Sequence, residues 1–245
     1  MRIAVLSDIH GNLTALEAVA ADIRDAAPDL VLHGGDLADS GSSPVETVDR
    51  IRELGWAGVM GNTDEMLVRP EVLDDFAARS EAEPALWTAV REIASLTRAA
   101  LGDERLAWLR TLPMVRTAAD GGPGFALVHA SPTSCWVAPA ADASDAEIEE
   151  TYGPLGAPVV AWGHTHIPAI RSVHGTPKLL INTGSVGLPY DGDPRASYLL
   201  LDGDTPTIRR VEYDVERELE LLAACGLPGA AWTAKMLRAS RPAMP

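Results

Sequence analysis

Cysteine is nearly absent from this chain. Cys135 and Cys225 are the only two, they stand far apart, and neither belongs to a CxxC pair. That excludes a disulfide framework and a thiolate zinc knuckle. Positive charge is scarce as well: 20 Lys and Arg face 35 Asp and Glu, for a formal net charge of −15. A broad nucleic-acid or anionic-membrane footprint needs a basic face, so this balance argues against both. No stretch approaches the ~18 consecutive apolar residues of a membrane span. The opening run Met1-Arg2-Ile3-Ala4-Val5-Leu6-Ser7-Asp8 is too short for a secretory leader. The expected compartment is the cytoplasm. There are no internal repeats and no obvious linker between domains.

What is present is globular material. With 245 residues, 47% hydrophobic and 22% charged, the chain is long enough for one large α/β domain or two small ones, with a real core. The acidity is compatible with a small phosphorylated substrate, because a local metal cluster can reverse the field at a site.

Residues 2–7 are a short apolar run that predicts a buried strand. Leu13, Leu16, Val19, Ala20 and Ile23 follow at helical spacing, with Asn12 or Thr14 as the cap. A second strand is expected at 30–33, a helix over about 44–54 and a third strand at 56–60. The first sixty residues therefore read β-α-β-α-β. Residues 65–112 carry no strand signal and predict helices around 70–79, 82–99 and 103–111. This is an inserted helical segment, either a cap over the site or an interface for a homo-oligomer. Further strands are expected at 114–118, 124–129, 158–162, 168–173, 178–182, 196–201 and 206–213. Gly121-Gly122-Pro123-Gly124 reads as a hairpin turn. Short helices are expected at 144–150 and 214–225. Residues 226–245 are an Ala- and Pro-rich tail with Trp232 as its anchor.

Four of the six histidines, His10, His129, His164 and His166, sit in polar clusters that close predicted strands. Asp8 and His10 are two apart, as are His164 and His166. In extended chain that spacing points both side chains the same way. Asp36 follows two glycines and Asn62 follows one, which lets backbone and side chain approach a ligand closely. Alone, a Gly-Asp or Gly-Asn pair is an ordinary turn. Five such clusters in a row, each ending an apolar run, are a different matter, since ligands of open α/β sheets gather outside the carboxyl ends of strands. Imidazole, carboxylate and amide oxygen without thiolate suit Mn, Fe, Ni, Co or Zn and disfavour a structural zinc site. Seven donors exceed the four of structural zinc. They fit two metals sharing a carboxylate, which lie ~3.5–4 Å apart in such sites.

Asp8-x-His10, Gly35-Asp36, Gly61-Asn62-x-Asp64, His129 and Gly163-His164-x-His166 together resemble the full motif series of the calcineurin-like metallophosphoesterases. Asn182-x-Gly184-Ser185-x-Gly187 and the stretch from Asp191 to Tyr198 are similar to its small bacterial and archaeal branch. That branch includes predicted phosphodiesterases and diadenosine-tetraphosphate hydrolase-like proteins. The likeness covers roughly residues 1–213. It implies a four-layer α/β/β/α sandwich, a single metallophosphoesterase domain over 1–225, and a helical insertion after the third strand. It implies Asp8, His10, Asp36 and His166 as ligands of one divalent metal. Asp36 would bridge, and Asn62, His129 and His164 would complete the second. The implied reaction is hydrolysis of a phosphodiester or nucleotide phosphoanhydride by a hydroxide held on the metals, with a small phosphorylated substrate such as a nucleotide. The alternatives are a protein-binding scaffold on the same fold or a nucleotide binder without turnover. Scaffolds of this kind usually lose ligands, and all seven survive here.

One position departs from the family pattern. The residue after the asparagine is usually histidine, thought to assist the leaving group or contact the phosphate, and here it is Thr63. Efficient cleavage of poorly activated alkyl phosphates is therefore in doubt. Asp64 stands as a candidate catalytic residue, with a supporting place behind the ligands as the alternative. Thr63 and Arg195 are candidate substrate contacts, since arginine forks match phosphate oxygens, although Arg195 has Asp191 and Asp193 as competing partners. His33 reads as a strand residue and His174 as a turn residue. Leu101, Leu106, Trp108, Leu109 and Leu112 read as helix core before a base-stacking platform.

Overall fold

In the computed structural model, which describes residues 1–117 and 124–245, the strands form two five-stranded sheets. The first runs β10 (Thr205–Val211), β9 (Ala196–Asp202), β1 (Arg2–Leu6), β2 (Leu30–His33), β3 (Ala57–Gly58). β1, β2 and β3 are parallel, while β9 turns back along β1 and β10 turns back along β9. The second runs β4 (Val115–Thr117), β5 (Phe125–Val128), β6 (Val159–Trp162), β8 (Leu179–Asn182), β7 (Ala169–Ser172). Its three inner strands are parallel and its two edges antiparallel.

The parallel strands β1, β2, β5, β6 and β8 are apolar except at an end residue in three of them, Arg2, His33 and Asn182, because both of their faces are covered. In β1, Ile3 and Val5 point into a cluster shared with Leu127 of β5, Ala161 of β6 and Ile181 of β8, so the two sheets meet there. Ala4 and Leu6 point the other way, to residues of α1 (Leu13–Ala26), α2 (Pro44–Leu54), α3 (Asn62–Val68) and α5 (Pro84–Leu109). In the second sheet Ala126, Val128, Val160 and Leu180 face Ile148 and Tyr152 of α6 (Asp145–Tyr152).

Local signals set the helix ends. The Asn12 side chain accepts from Ala15 N at 2.9 Å and starts α1. Ser144 and Glu147 form a reciprocal capping box at α6. The helical segment contains α3, α4 (Glu71–Ala77) and α5. The two helices expected over 82–99 and 103–111 are both present within α5, divided at Gly102, whose φ of 67° is not helical. Leu101, Leu106 and Leu109 are buried core residues.

Three expectations need correction. The third strand is two residues long, because the chain turns away at Val59 and enters α3 at Asn62, where no helix was expected. The Ala- and Pro-rich tail contains α8 (Ala230–Ala239), which lays Ala234, Met236 and Leu237 on Leu219 and Leu222 of α7 (Val215–Ala224) and on Leu188. β4 and β5 do pair antiparallel, but Gly121, Gly122 and Pro123 of the expected turn lie outside the described residues. No helix among the described residues is long and apolar enough to cross a membrane.

Candidate metal centre

The seven candidate donors lie in the loops at the carboxyl ends of β1, β2, β3, β5 and β6. Asp8 and His10 follow β1, Asp36 follows β2, Asn62 follows β3, His129 follows β5, and His164 and His166 follow β6. The extended-chain reasoning for the two D/H-x-H pairs is replaced by another geometry. Both pairs lie beyond the strand ends, and their backbones are left-handed: φ is 56° at Asp8, 50° at His10, 67° at His164 and 60° at His166, with Asp36 at 55°. Such values are uncommon and costly for residues with a Cβ. The chain holds them only where surrounding contacts over-determine the loop, which is typical of ligand sites.

Those contacts come largely from the segment Asn182–Leu188. Asn182 Nδ2 donates to Gly163 O at 2.7 Å and to Thr165 Oγ1 at 2.9 Å. Ser185 Oγ donates to Asp8 O at 2.7 Å and accepts from Leu188 N at 2.8 Å. Gly187 N donates to Asp8 O at 3.0 Å, and a Cβ on Gly187 would stand 1.8 Å from Ile9 O, so only glycine fits. The Asn-x-Gly-Ser-x-Gly motif is thus a brace for the donor loops.

Two donor groups result. Asp8, His10, Asp36 and His166 have ligand atoms all within 4.8 Å of one another. Asp36 Oδ2 lies 3.5 Å from His10 Nε2 and 3.6 Å from His129 Nε2. Asn62 Oδ1 lies 2.9 Å from both His129 Nε2 and His164 Nδ1. The other Asp36 oxygen, Oδ1, accepts from Thr63 N at 2.9 Å at the start of α3, which orients the carboxylate.

The histidine tautomers follow from their backbone partners. His10 Nδ1 faces Asp39 O at 3.0 Å, His129 Nδ1 faces Gly34 O at 2.7 Å and His166 Nδ1 faces Leu188 O at 2.6 Å. A carbonyl only accepts, so each Nδ1 carries a hydrogen and each ring turns its Nε2 into the centre. His10 Nε2 and His166 Nε2 are 3.2 Å apart. Two lone pairs at that distance repel unless a proton or a cation lies between them. The same holds for His129 Nε2 against the Asn62 carbonyl oxygen. The donor set therefore fits divalent cations, and backbone carbonyls behind metal-bound imidazoles are the usual support.

Electrostatics divide the imidazoles: burial opposes charge on His129, but the Asp36 and Asp8 carboxylates outweigh it and raise that ring above its ordinary pKa. Burial, reinforced by His166, holds the His10 imidazole below its ordinary pKa, and burial with His129 beside it brings His164 down to about 4. Both are neutral ligands at pH 7. Burial alone would raise the Asp8 carboxyl, but the imidazoles of His166, His129 and His10 outweigh it and hold the group below its usual range.

The other candidates fall elsewhere. Asp64 is fully buried and accepts from Asp36 N at 2.8 Å, Leu37 N at 3.0 Å and Gly61 N at 3.0 Å. Its oxygens are taken by backbone N–H groups of the loops after β2 and β3, which it ties together. A Cβ on Gly61 would stand 2.1 Å from Asp36 Oδ1, so the two loops touch at backbone level. Arg195 is not brought to the centre: its Nη2 donates to Asp193 Oδ2 at 2.6 Å in an exposed turn, the competing partner that the sequence contains. Thr63 is at the edge of the centre, with Oγ1 buried and without a partner among the described residues. His33 is buried at the end of β2 near Trp108, and His174 is exposed. Tyr190, which stacks on His166 at 4.3 Å and 17°, gave no sequence signal.

Comparison with known proteins places this geometry. A model of the calcineurin-like phosphoesterase superfamily domain matches residues 1–206. An uncharacterized protein of Methanocaldococcus jannaschii is 34% identical over 243 residues, covering 92% of this chain and 93% of that one. A symmetrical bis(5'-nucleosyl)-tetraphosphatase of Methylococcus capsulatus is 33% identical over 159 residues, which is 61% of this chain and 50% of that protein. The crystal structure of a metallophosphoesterase from Sphaerobacter thermophilus superposes with a TM-score of 0.76 at 28% identity, covering 98% of this chain and 99% of that one. The chain belongs to the calcineurin-like phosphoesterase superfamily.

Proposed function

We propose that this protein is a hydrolase of small phosphoanhydrides or phosphodiesters, nucleotides among them, working with two divalent cations of the Mn, Fe, Ni, Co or Zn kind. The observation that carries this reading is the Asp36 carboxylate. Its Oδ2 is nearly equidistant from His10 Nε2 and His129 Nε2, at 3.5 and 3.6 Å, and so joins two donor groups of four. Bound cations supply Lewis acidity and a nucleophile available near neutral pH. The residues do the rest. His10, Asp8 and His166 hold one position, and Asn62, His129 and His164 hold the other. The backbone carbonyls at Asp39, Gly34 and Leu188 keep the imidazoles aimed. The helical segment 65–112 restricts access to small substrates. The half-length match to a protein named as a tetraphosphatase supports a nucleotide substrate.

Thr63 shapes the substrate choice. A threonine hydroxyl does not titrate near pH 7 as imidazole does, and Asp64 is turned to backbone. The leaving group therefore departs on its own stability, which favours anhydrides and aryl esters over alkyl phosphates. The test is metal content by elemental analysis, with phosphate release measured across dinucleoside polyphosphates, aryl diesters and alkyl diesters. Metal-loaded protein that turns over none of them would refute the reading.

A further inference from the structure

A cavity of about 310 Å³ opens beside the donors, with Asn62, Thr63 and His164 on its rim. That is at the small end of ligand pockets, roughly 300–1,000 Å³. Its far side is aromatic. Phe76 of α4 lies 5.7 Å edge-on from Trp87 of α5 and 4.8 Å from Trp136, and Trp232 of α8 lines the same space. The rings are fixed from behind. Trp136 Nε1 donates to the buried Glu65 carboxylate at 2.6 Å, and Trp232 Nε1 donates to Ala243 O at 2.7 Å.

Three lining residues carry buried polar atoms with no hydrogen-bond partner among the described residues: Trp87 Nε1, Thr63 Oγ1 and Asp39 Oδ1. Those atoms lie behind the surface, so what a ligand meets first is the aromatic wall. A planar heterocycle would stack on the rings. A bare phosphate would not stack, and the lining offers it no Lys or Arg.

We propose that this chamber is the nucleoside site: it takes the base of a nucleotide whose phosphates lie on the metal donors. The proposal rests on the phosphohydrolase reading and adds the residues that select the substrate. The helical segment and α8 each supply part of the wall, so base recognition joins regions far apart in the sequence.

The experiment uses the full chain loaded with manganese and two ligands that resist cleavage, adenosine 5'-(α,β-methylene)diphosphate and plain methylenediphosphonate. Both present the same phosphonates, and they differ by the nucleoside. Calorimetry should show the nucleoside form binding at least about tenfold more tightly, the scale of base stacking on aromatic side chains. Trp87→Ala and Trp232→Ala should each remove most of that difference and leave the affinity for methylenediphosphonate unchanged. Trp87→Phe, which keeps a smaller ring, should retain an intermediate preference. It also keeps the test open if a truncation unfolds the protein. Equal affinity for the two ligands, or variants that weaken both alike, would overturn the chamber alone. Failure of both ligands to bind would overturn the placement of phosphate at the metals, and the chamber with it.

Discussion

Asp64 ties the loop after β2 to the loop after β3, because one carboxylate accepts the N–H groups of Asp36, Leu37 and Gly61. Removing it leaves three buried donors unpaired. Asp64→Ala is expected to lose at least about 1–3 kcal/mol in urea unfolding, the cost of unsatisfied buried groups. It should also weaken metal retention, because Asp36 moves. The shape of the pH–rate profile of any surviving activity should not change. A variant of normal stability that lost one limb of that profile would make Asp64 a proton carrier after all. The neighbouring residue has the opposite character. Thr63 lines the chamber, and its backbone N–H already orients Asp36, so a change of side chain does not remove that bond. Thr63→His should raise kcat/KM for alkyl diesters relative to anhydrides, by up to the ~10²–10⁴-fold that a general acid supplies. An unchanged ratio in a folded, metal-loaded variant would mean that the leaving group is protonated from elsewhere.

At the scale of elements, Asp22 links α1 to the antiparallel edge of the first sheet. It accepts from Tyr198 Oη at 2.6 Å and from Arg209 Nη2 at 2.7 Å. Partial burial favours the neutral acid, but the Arg209 and Tyr198 hydrogen bonds outweigh it and lower its pKa below the ordinary 3.8. A lowered carboxylate stabilises the fold fully above that ordinary value and loses its contribution as pH falls through the folded value. The Arg209 end is well exposed, so the size is modest, about 0–1 kcal/mol. Asp22→Asn should be slightly less stable than the parent at pH 7, and the two urea curves should converge below pH 3.8. A gap that persists in acid would assign the effect to packing. The elements themselves were unevenly legible in the sequence. β1, β2, β5, β6 and β8 were plain, since strands buried on both faces read as apolar runs, and the polar ends of β1, β2, β5 and β6 marked six of the seven donors, with Asn62 after β3 as the seventh. β3 was overestimated because only Ala57 and Gly58 pair. α8 was missed because alanine is a weak marker of which face is buried, and its partners Leu188, Leu219 and Leu222 lie outside its own segment. The left-handed backbone of the donors, the carbonyls behind the imidazoles and the aromatic chamber all depend on contacts between distant segments, which no local pattern records.

For the molecule as a whole, the donors follow three strands of the first sheet, β1, β2 and β3, and two of the second, β5 and β6, so occupancy of the centre couples to global stability. Cations that bind the folded chain and not the unfolded one stabilise it by about 2.7 kcal/mol at a concentration 100 times their Kd. In a chain of this size that corresponds to a Tm rise of roughly 5–10 °C. Removing metal with a chelator should lower Tm by that order, and manganese should restore it. The two donor groups share one residue, which makes the effect diagnostic. Asp36→Ala should abolish most of the manganese-dependent shift, because it takes a ligand from both positions. His164→Ala should keep part of it, because Asp8, His10, Asp36 and His166 remain together. Acid should erode the shift further, since protons compete with cations for the imidazoles. The decisive measurements are Tm with and without manganese for the three proteins, alongside elemental analysis. If Asp36→Ala kept two tightly bound metals and the full shift, the shared carboxylate would be wrong. If His164→Ala lost as much as Asp36→Ala, the centre would be one cooperative cluster in place of two groups joined at Asp36.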